Sequence, residues 1–364
     1  MGWIALWDSE TELFAPRGLR AGPDAPDLIG SGEDDLVTRG TLVIETRMPS
    51  ASRPRALLHY ERTGSWPFHL SVQAIPGGGL IFVLNQGGCV IHHAIDSTDT
   101  GRQEVLRLSY SWDAPARRGR IALEQNNSEV VHLIDLAAPP PLRAGDLRAL
   151  FREGPRRFVA PDIAFLALSS RIEAVGPMPA LVPDTPIATP QGYRPLREIR
   201  RGDLVVTPEG DAVPVLARVS RSVVARGMTR PLYLRAPYFG LGQDIFAAPS
   251  QRLVLSGSDV EYLFGHEAVL APAAALTGGH SVLEARSGPV ITYAQLLLPK
   301  HEPILAAGAV VESLYIGRLH RKPGLLAASV LAGYDRSRLP DHGRARLPVL
   351  RGFEARVLAE RRAA

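Results

Sequence analysis

At 364 residues, with 45% hydrophobic and 21% charged residues, the chain is long enough for two or three domains and too apolar for wholesale disorder. Its net charge of +4 rests almost wholly on arginine, since Lys300 and Lys322 are the only lysines. That bias fits a GC-rich bacterial genome, and without a helix-turn-helix, zinc-finger or RNA-recognition signature beside it no nucleic-acid partner is expected.

The first residues, from Met1 to Glu10, have no positive n-region and too short an apolar run for a cleaved signal peptide. No later stretch approaches a transmembrane length. The expectation is a soluble bacterial protein, either cytoplasmic or exported by a signal-independent route. Residues 1–175 read as all-β. Strands are predicted over Thr41–Arg47, Ala56–Tyr60, Phe68–Gln73, Leu80–Leu84, Val90–His93, Val105–Trp112, Arg120–Glu124, Val130–Leu133 and Ile163–Leu168. Several alternate apolar with polar residues, the period of a half-buried strand. Pro76–Gly79, Gly87–Gly88, Asp113–Pro115 and Asn126–Asn127 supply the turns.

Many short strands at this spacing imply an antiparallel sandwich. The run from Val105 through Ser111-Trp112-Asp113 to Leu123 resembles the concanavalin-like, laminin-G-like jelly roll. Glycosidases of that fold need carboxylates flanking the bond, and no Glu-x-Asp-x-x-Glu pattern occurs, so the sandwich is expected to be non-catalytic. A glycan or a surface protein is the partner such a fold could take, with Trp66 or Trp112 as exposed aromatics. Cys89 is the only cysteine, which excludes an internal disulfide and a cysteine metal site. It lies between two apolar runs and is expected to be a buried small hydrophobe. His92 and His93 adjoin it, but neighbours on a strand face opposite ways, so no metal and no cofactor is expected.

Residues 176–183 are punctuated by Pro177, Pro179 and Pro183 and read as a stiff linker. Residues 184–319 read as a second β-rich unit, and residues 320–364 as a helical tail. Pro323 suits a first helical turn and Gly333 a stop. Leu350, Phe353, Val357 and Leu358 fall on roughly one face of a last helix. The arginines from Arg336 to Arg362 are expected to solvate this tail or to meet an acidic partner.

Four segments of the second unit carry a resemblance. Thr185–Thr207 reads as a strand, a Pro190-Gln191-Gly192 turn, an amphipathic segment, a Gly202-Asp203 turn and a second strand. Asp244–Leu255 is similar to a strand bearing a Thr-x-x-His element, and Val260–Pro272 to a Leu-Phe-Gly…Val-Leu-x-Pro signature. Val290–Gly308 holds a tyrosine, a strand, a histidine and an Ala-Gly turn. In this order they resemble the Hint domain of hedgehog proteins and inteins, in its bacterial subgroup, which implies an all-β horseshoe.

The family's self-cleavage starts when a Cys or Ser attacks the preceding carbonyl, about five residues before the Thr of the opening strand. Counting back from Thr185, the resemblance places Ala180 there, and alanine is no nucleophile. The Thr and His of Thr-x-x-His match Ala248 and Gln251; glutamine cannot shuttle a proton near neutral pH as histidine can. An assisting acid matches Ala294, and the closing His-Asn pair matches Glu312 and Ser313. His301 alone remains, with Glu302 beside it to orient it. No cysteine lies in the second half and no serine between Ser170 and Ser220.

The reading expected first is therefore a degenerate, non-splicing Hint protein with a structural or binding role and no enzymatic activity. If the module is active, it is a self-cleaving autoprotease in which Thr185 attacks the Asp184 carbonyl with help from the Asp184 carboxylate or His301. The plainer reading makes Thr185 a strand residue and Asp184 a turn residue. The third reading is glycan or surface binding by the sandwich. His266-Glu267 reads as a polar turn or a helix N-terminus, and Arg201-Gly202-Asp203 as the turn before a strand.

Overall fold

A computed structural model describes the chain except residues 1, 23, 50–52, 97–104, 127, 344 and 364. The expected turn residue Asn127 and tail residue Arg344 lie outside the described residues. The fold is mainly β and divides into two compact units, Met1–Val175 and Gly176–Ala364. Among the described residues no helix is long and apolar enough to cross a membrane.

The first unit is a sandwich of two antiparallel sheets. The larger runs, in spatial order, through Val131–Ala137, Arg118–Gln125, Val105–Asp113, Arg39–Arg47, Ile163–Ser169, Trp3–Trp7 and Glu12–Phe14. The smaller runs through Arg157–Val159, Arg55–Arg62, Phe68–Ala74, Leu80–Gln86 and Cys89–Ile95. All nine expected strands are present, and one core lies between the sheets. Period-two alternation builds it: Leu80, Phe82 and Leu84 face it from one strand, and Leu106, Leu108, Tyr110 and Trp112 from another. Tyr110 stacks on Trp112 at 5.4 Å. Gly40 is paired directly with Trp112, and a Cβ there would stand 2.6 Å from the indole, so this position admits no side chain.

Trp112 is fully buried and donates its Nε1–H to the Val37 carbonyl at 2.9 Å, so it is no exposed aromatic. Trp66 is half-buried against Gly87. Cys89 is exposed, because it opens its strand immediately after the Gly87-Gly88 turn, beyond the edge of the core. The strand Trp3–Trp7 and the helix Ala144–Leu150 are additions that the turn-and-strand pattern did not predict.

In the second unit a six-stranded sheet runs through Gly192–Pro195, Pro186–Thr189, Pro303–Ala306, Ala309–Glu312, Arg252–Ser256 and Ala268–Pro272. A long antiparallel pair, Ala217–Val224 with Val290–Leu297, the short pair Leu204–Val206 with Ala212–Pro214, and a three-stranded sheet accompany it. The Ala307-Gly308 turn closes Pro303–Ala306 on Ala309–Glu312 with φ of 50° and 98°, the positive values a two-residue hairpin loop requires.

Residues 176–183 do not form a linker. Ala180 and Leu181 are buried, and Leu181 bridges both Ala247 and Ala294. Prolines stop this segment from forming a regular strand, yet its free amides are still captured by strands on either side. The tail helix Pro323–Ala328 ends before Gly333, where the Ser329 hydroxyl accepts from Leu331 N–H at 3.1 Å. On the last helix, Gly352–Ala363, the buried residues are Ala355 and Leu358, preceded by buried Leu350; Phe353 and Val357 are exposed. Tail arginines do more than solvate: Arg362 clasps Asp259 at 2.7 Å and holds its carboxyl below the usual carboxylate range.

Candidate functional site

The stretch expected to bear Thr-x-x-His is not one strand. Ile245–Ala247 ends in one sheet, Ala248 to Gln251 turns, and Arg252–Ser256 enters another. The turn carries Ala248 against Ala180: Ala248 N–H donates to the Ala180 carbonyl at 2.7 Å, and both side chains pack with Val223 and Tyr293 in a small apolar cluster. Burial pushes the Tyr293 phenol up, and its hydroxyl is spent on the Thr229 carbonyl at 3.1 Å.

Gln251 sits beside this cluster, joined to it through Gln295. Gln295 Oε1 accepts the Ala180 N–H at 3.1 Å, while its Nε2 donates to the Glu312 carbonyl at 2.6 Å and to Gln251 Oε1 at 3.2 Å. Gln251 Nε2 in turn donates to the Arg252 carbonyl at 2.8 Å and the Glu312 carbonyl at 3.2 Å. Both peptide groups of Ala180 are thus held by neutral amides. Nothing that ionises touches them in this network, so it can orient a carbonyl but cannot carry a proton.

His301 stands in a different cluster. It is buried, with its ring 4.7 Å from Tyr315 and 5.8 Å from His342. Its carboxylate neighbour is Glu312 rather than Glu302, because the hairpin brings the end of Ala309–Glu312 back over the turn. The Nε2 to Oε1 separation is 3.0 Å, but the angle is wrong for a hydrogen bond, and the same oxygen accepts from Arg252 Nη1 at 3.0 Å.

Thr185 is buried, and its hydroxyl has no hydrogen-bond partner among the described residues. Its N–H donates to the Val182 carbonyl and its carbonyl accepts from Leu196 N–H. Asp184 turns outward to solvent and pairs with Arg197. Ala180, Ala248 and Gln251 therefore come together, whereas Asp184, Thr185 and His301 are not joined in one constellation. Ala294 N–H donates to the Leu181 carbonyl, and the Ser313 hydroxyl is buried without a hydrogen-bond partner among the described residues. His266 and Glu267 follow the left-handed Gly265 at the end of the helix Ser258–Phe264, exposed, and Gly202 turns with φ of 90° between Arg201 and Asp203.

Sequence reasoning missed Gln295 and His342. Gln295 had a signal, as a polar residue inside the apolar strand Val290–Leu297. His342 had none, since its partners are remote backbone groups. Its Nδ1 accepts from Ile316 N–H at 3.3 Å and its Nε2 lies 3.1 Å from the Leu298 carbonyl, an arrangement that suits the neutral ring with hydrogen on Nε2. Burial lowers its pKa below 6.5, the Leu298 bond opposes this, and His301 adds to it, with Asp341 and Glu312 opposing. The unfolded chain therefore takes up a proton at higher pH than the folded one. The contribution of His342 is complete above about pH 6.5 and is lost as pH falls toward the depressed folded value. Equilibrium unfolding of the second unit, followed by far-UV circular dichroism from pH 7.5 to 5, should show this decline, and His342→Gln should flatten it.

Residues 179–318 match the family described as "Hint domain", and this supports a Hint domain in the second unit. Among solved structures, the chain is similar to the Msm DnaB1 intein splicing domain bound with zinc, at 21% identity over 37% of this chain and 100% of that one, with a TM-score of 0.26. It is also similar to a bacterial intein-like domain from Clostridium thermocellum, at 17% identity over 37% and 99%, with a TM-score of 0.28. The Ruminococcus gnavus IT-sialidase CBM40 bound to α2,3-sialyllactose matches at 14% identity over 36% and 76%, with a TM-score of 0.23. None of the curated proteins matches the sequence.

Proposed function

We propose that the second unit is a Hint domain of the bacterial subgroup that does not cleave itself, and that it serves as a structural or binding module in the same chain as a concanavalin- and laminin-G-like sandwich. One observation carries this. The position matching the family nucleophile is Ala180, packed against Ala248 and Tyr293, with its N–H and carbonyl both spent on internal hydrogen bonds. A side chain without a heteroatom cannot begin an acyl shift, and Gln251 cannot replace the proton donor.

The self-processing alternative rests on the Thr185 hydroxyl, which has no hydrogen-bond partner among the described residues. It would require an N-to-O shift in which Thr185 Oγ1 attacks the Asp184 carbonyl, the Asp184–Thr185 amide breaks and an ester forms. The groups that would assist it face other partners: Asp184 is paired with Arg197, and His301 lies in a separate cluster beside Glu312, Tyr315 and His342. A glycan-binding role for the sandwich loses Trp112, which is core. Aged wild type and Thr185→Ala protein are expected to give the same single full-length species. Fragments ending at Asp184 and starting at Thr185 in the wild type alone would favour the autoprotease.

A further inference from the structure

We propose that His59, Glu61 and His69 form a site for a divalent transition metal of the zinc class on the outer face of the smaller sheet of the sandwich. His59 and Glu61 are two residues apart on Arg55–Arg62 and so project from one face. His69, on Phe68–Ala74, is the direct cross-strand partner of Glu61, which puts their side chains side by side. The alternate residues Leu58, Tyr60, Phe68 and Leu70 fill the core, so the three ligands lie on the opposite face.

One ligand atom from each of the three lies within 4.8 Å of the others. His59 Nε2 is 4.0 Å from Glu61 Oε2, and the two imidazoles meet edge to face with centroids 5.1 Å apart. Bonds of about 2.0–2.1 Å to a tetrahedral ion hold ligand atoms roughly 3.3 Å apart. Rotation of the exposed Glu61 side chain and small turns of the rings close that gap with the backbone fixed. Among the described residues no hydrogen bond occupies either imidazole.

Two imidazoles and one carboxylate suit zinc and its neighbours better than calcium or magnesium, which take oxygen ligands. His59 and Glu61 also line a shallow concavity with Thr63, Arg156, Arg157 and Phe158, to which the remaining coordination is open. Arg157 is the cross-strand partner of the core-facing Tyr60 and stacks over Trp7, so its charge lies on the opposite face of the sheet from the ligands.

The test uses the untagged full chain, titrated with zinc by calorimetry and with cobalt by visible absorption. One equivalent should bind per chain. Loss of outer ligands alone weakens metal sites about 10–100-fold, so His69→Ala and Glu61→Gln should each weaken binding by at least about tenfold, and His92→Ala, exposed on the same sheet, should not. Glu61→Gln is nearly isosteric and exposed, and an unchanged tryptophan emission melt confirms that the sandwich is intact. No saturable uptake by the wild type, or uptake that both His69→Ala and Glu61→Gln leave unchanged, overturns the site.

Discussion

Replacing Gln295 with leucine is expected to lower the unfolding free energy of the second unit by roughly 2–6 kcal/mol. The change conserves volume, so the cost is polar. It strips the acceptor from the Ala180 N–H and the donor from Gln251 Oε1, and it removes the shorter of the two bonds that reach the Glu312 carbonyl. A buried donor or acceptor left unmade costs about 1–3 kcal/mol, and two are left here. The Glu312 carbonyl keeps its bond from Gln251 and adds little. All four tryptophans, Trp3, Trp7, Trp66 and Trp112, lie in the first unit. Far-UV circular dichroism in urea should therefore show the second unit unfolding earlier, with tryptophan emission unmoved. An unchanged transition would mean that the amide network is not what holds the 176–183 segment.

Asp146→Ala should cost the sandwich about 3–5 kcal/mol, the range for breaking a buried ion pair by removing one partner. Asp146 is 2% exposed and sits on the short helix Ala144–Leu150. It accepts from Arg62 Nε at 2.6 Å, from Arg62 Nη2 at 3.0 Å and from the Tyr60 hydroxyl at 3.1 Å. Burial, and then the Asp146 charge and hydrogen bond, push the Tyr60 phenol up to about 12. Alanine leaves a largely buried guanidinium without its carboxylate and a buried phenol without its acceptor. Asp146→Leu combined with Arg62→Met and Tyr60→Phe removes the carboxylate and its donors at once, losing besides only the Arg62 Nη2 bond to the Trp66 carbonyl, and should recover most of the loss, because well-packed apolar replacements of buried pairs are often neutral. Urea titration followed by tryptophan emission reads both variants. If the triple variant is no more stable than Asp146→Ala, packing rather than charge desolvation accounts for the loss.

The strands of the sandwich were legible because period-two alternation and glycine turns are local. The helix carrying Asp146 was not. At seven residues it is too short for a helical period to show, and it is held by tertiary bonds to Arg62 and Tyr60. In the second unit the opening strand and the Ala-Gly turn could be read from order and spacing. The burial of residues 176–183 could not, because prolines mark an extended backbone without saying what captures its amides. The resemblance names His301 and chain adjacency names Asp184 as helpers of Thr185, yet Asp184 pairs with Arg197 and His301 lies beside Glu312. The zinc-class site departs from the expectation that no metal binds. His59 and Glu61 show the i, i+2 spacing in sequence, but His69 joins them only through strand register.

The most direct measurement is the intact mass of the purified full chain after several days at neutral pH, with and without hydroxylamine or a thiol. The account predicts one species at 39.3 kDa under every condition. Two fragments that meet at Asp184–Thr185, increased by hydroxylamine as an ester would require, would contradict it and identify a self-cleaving domain.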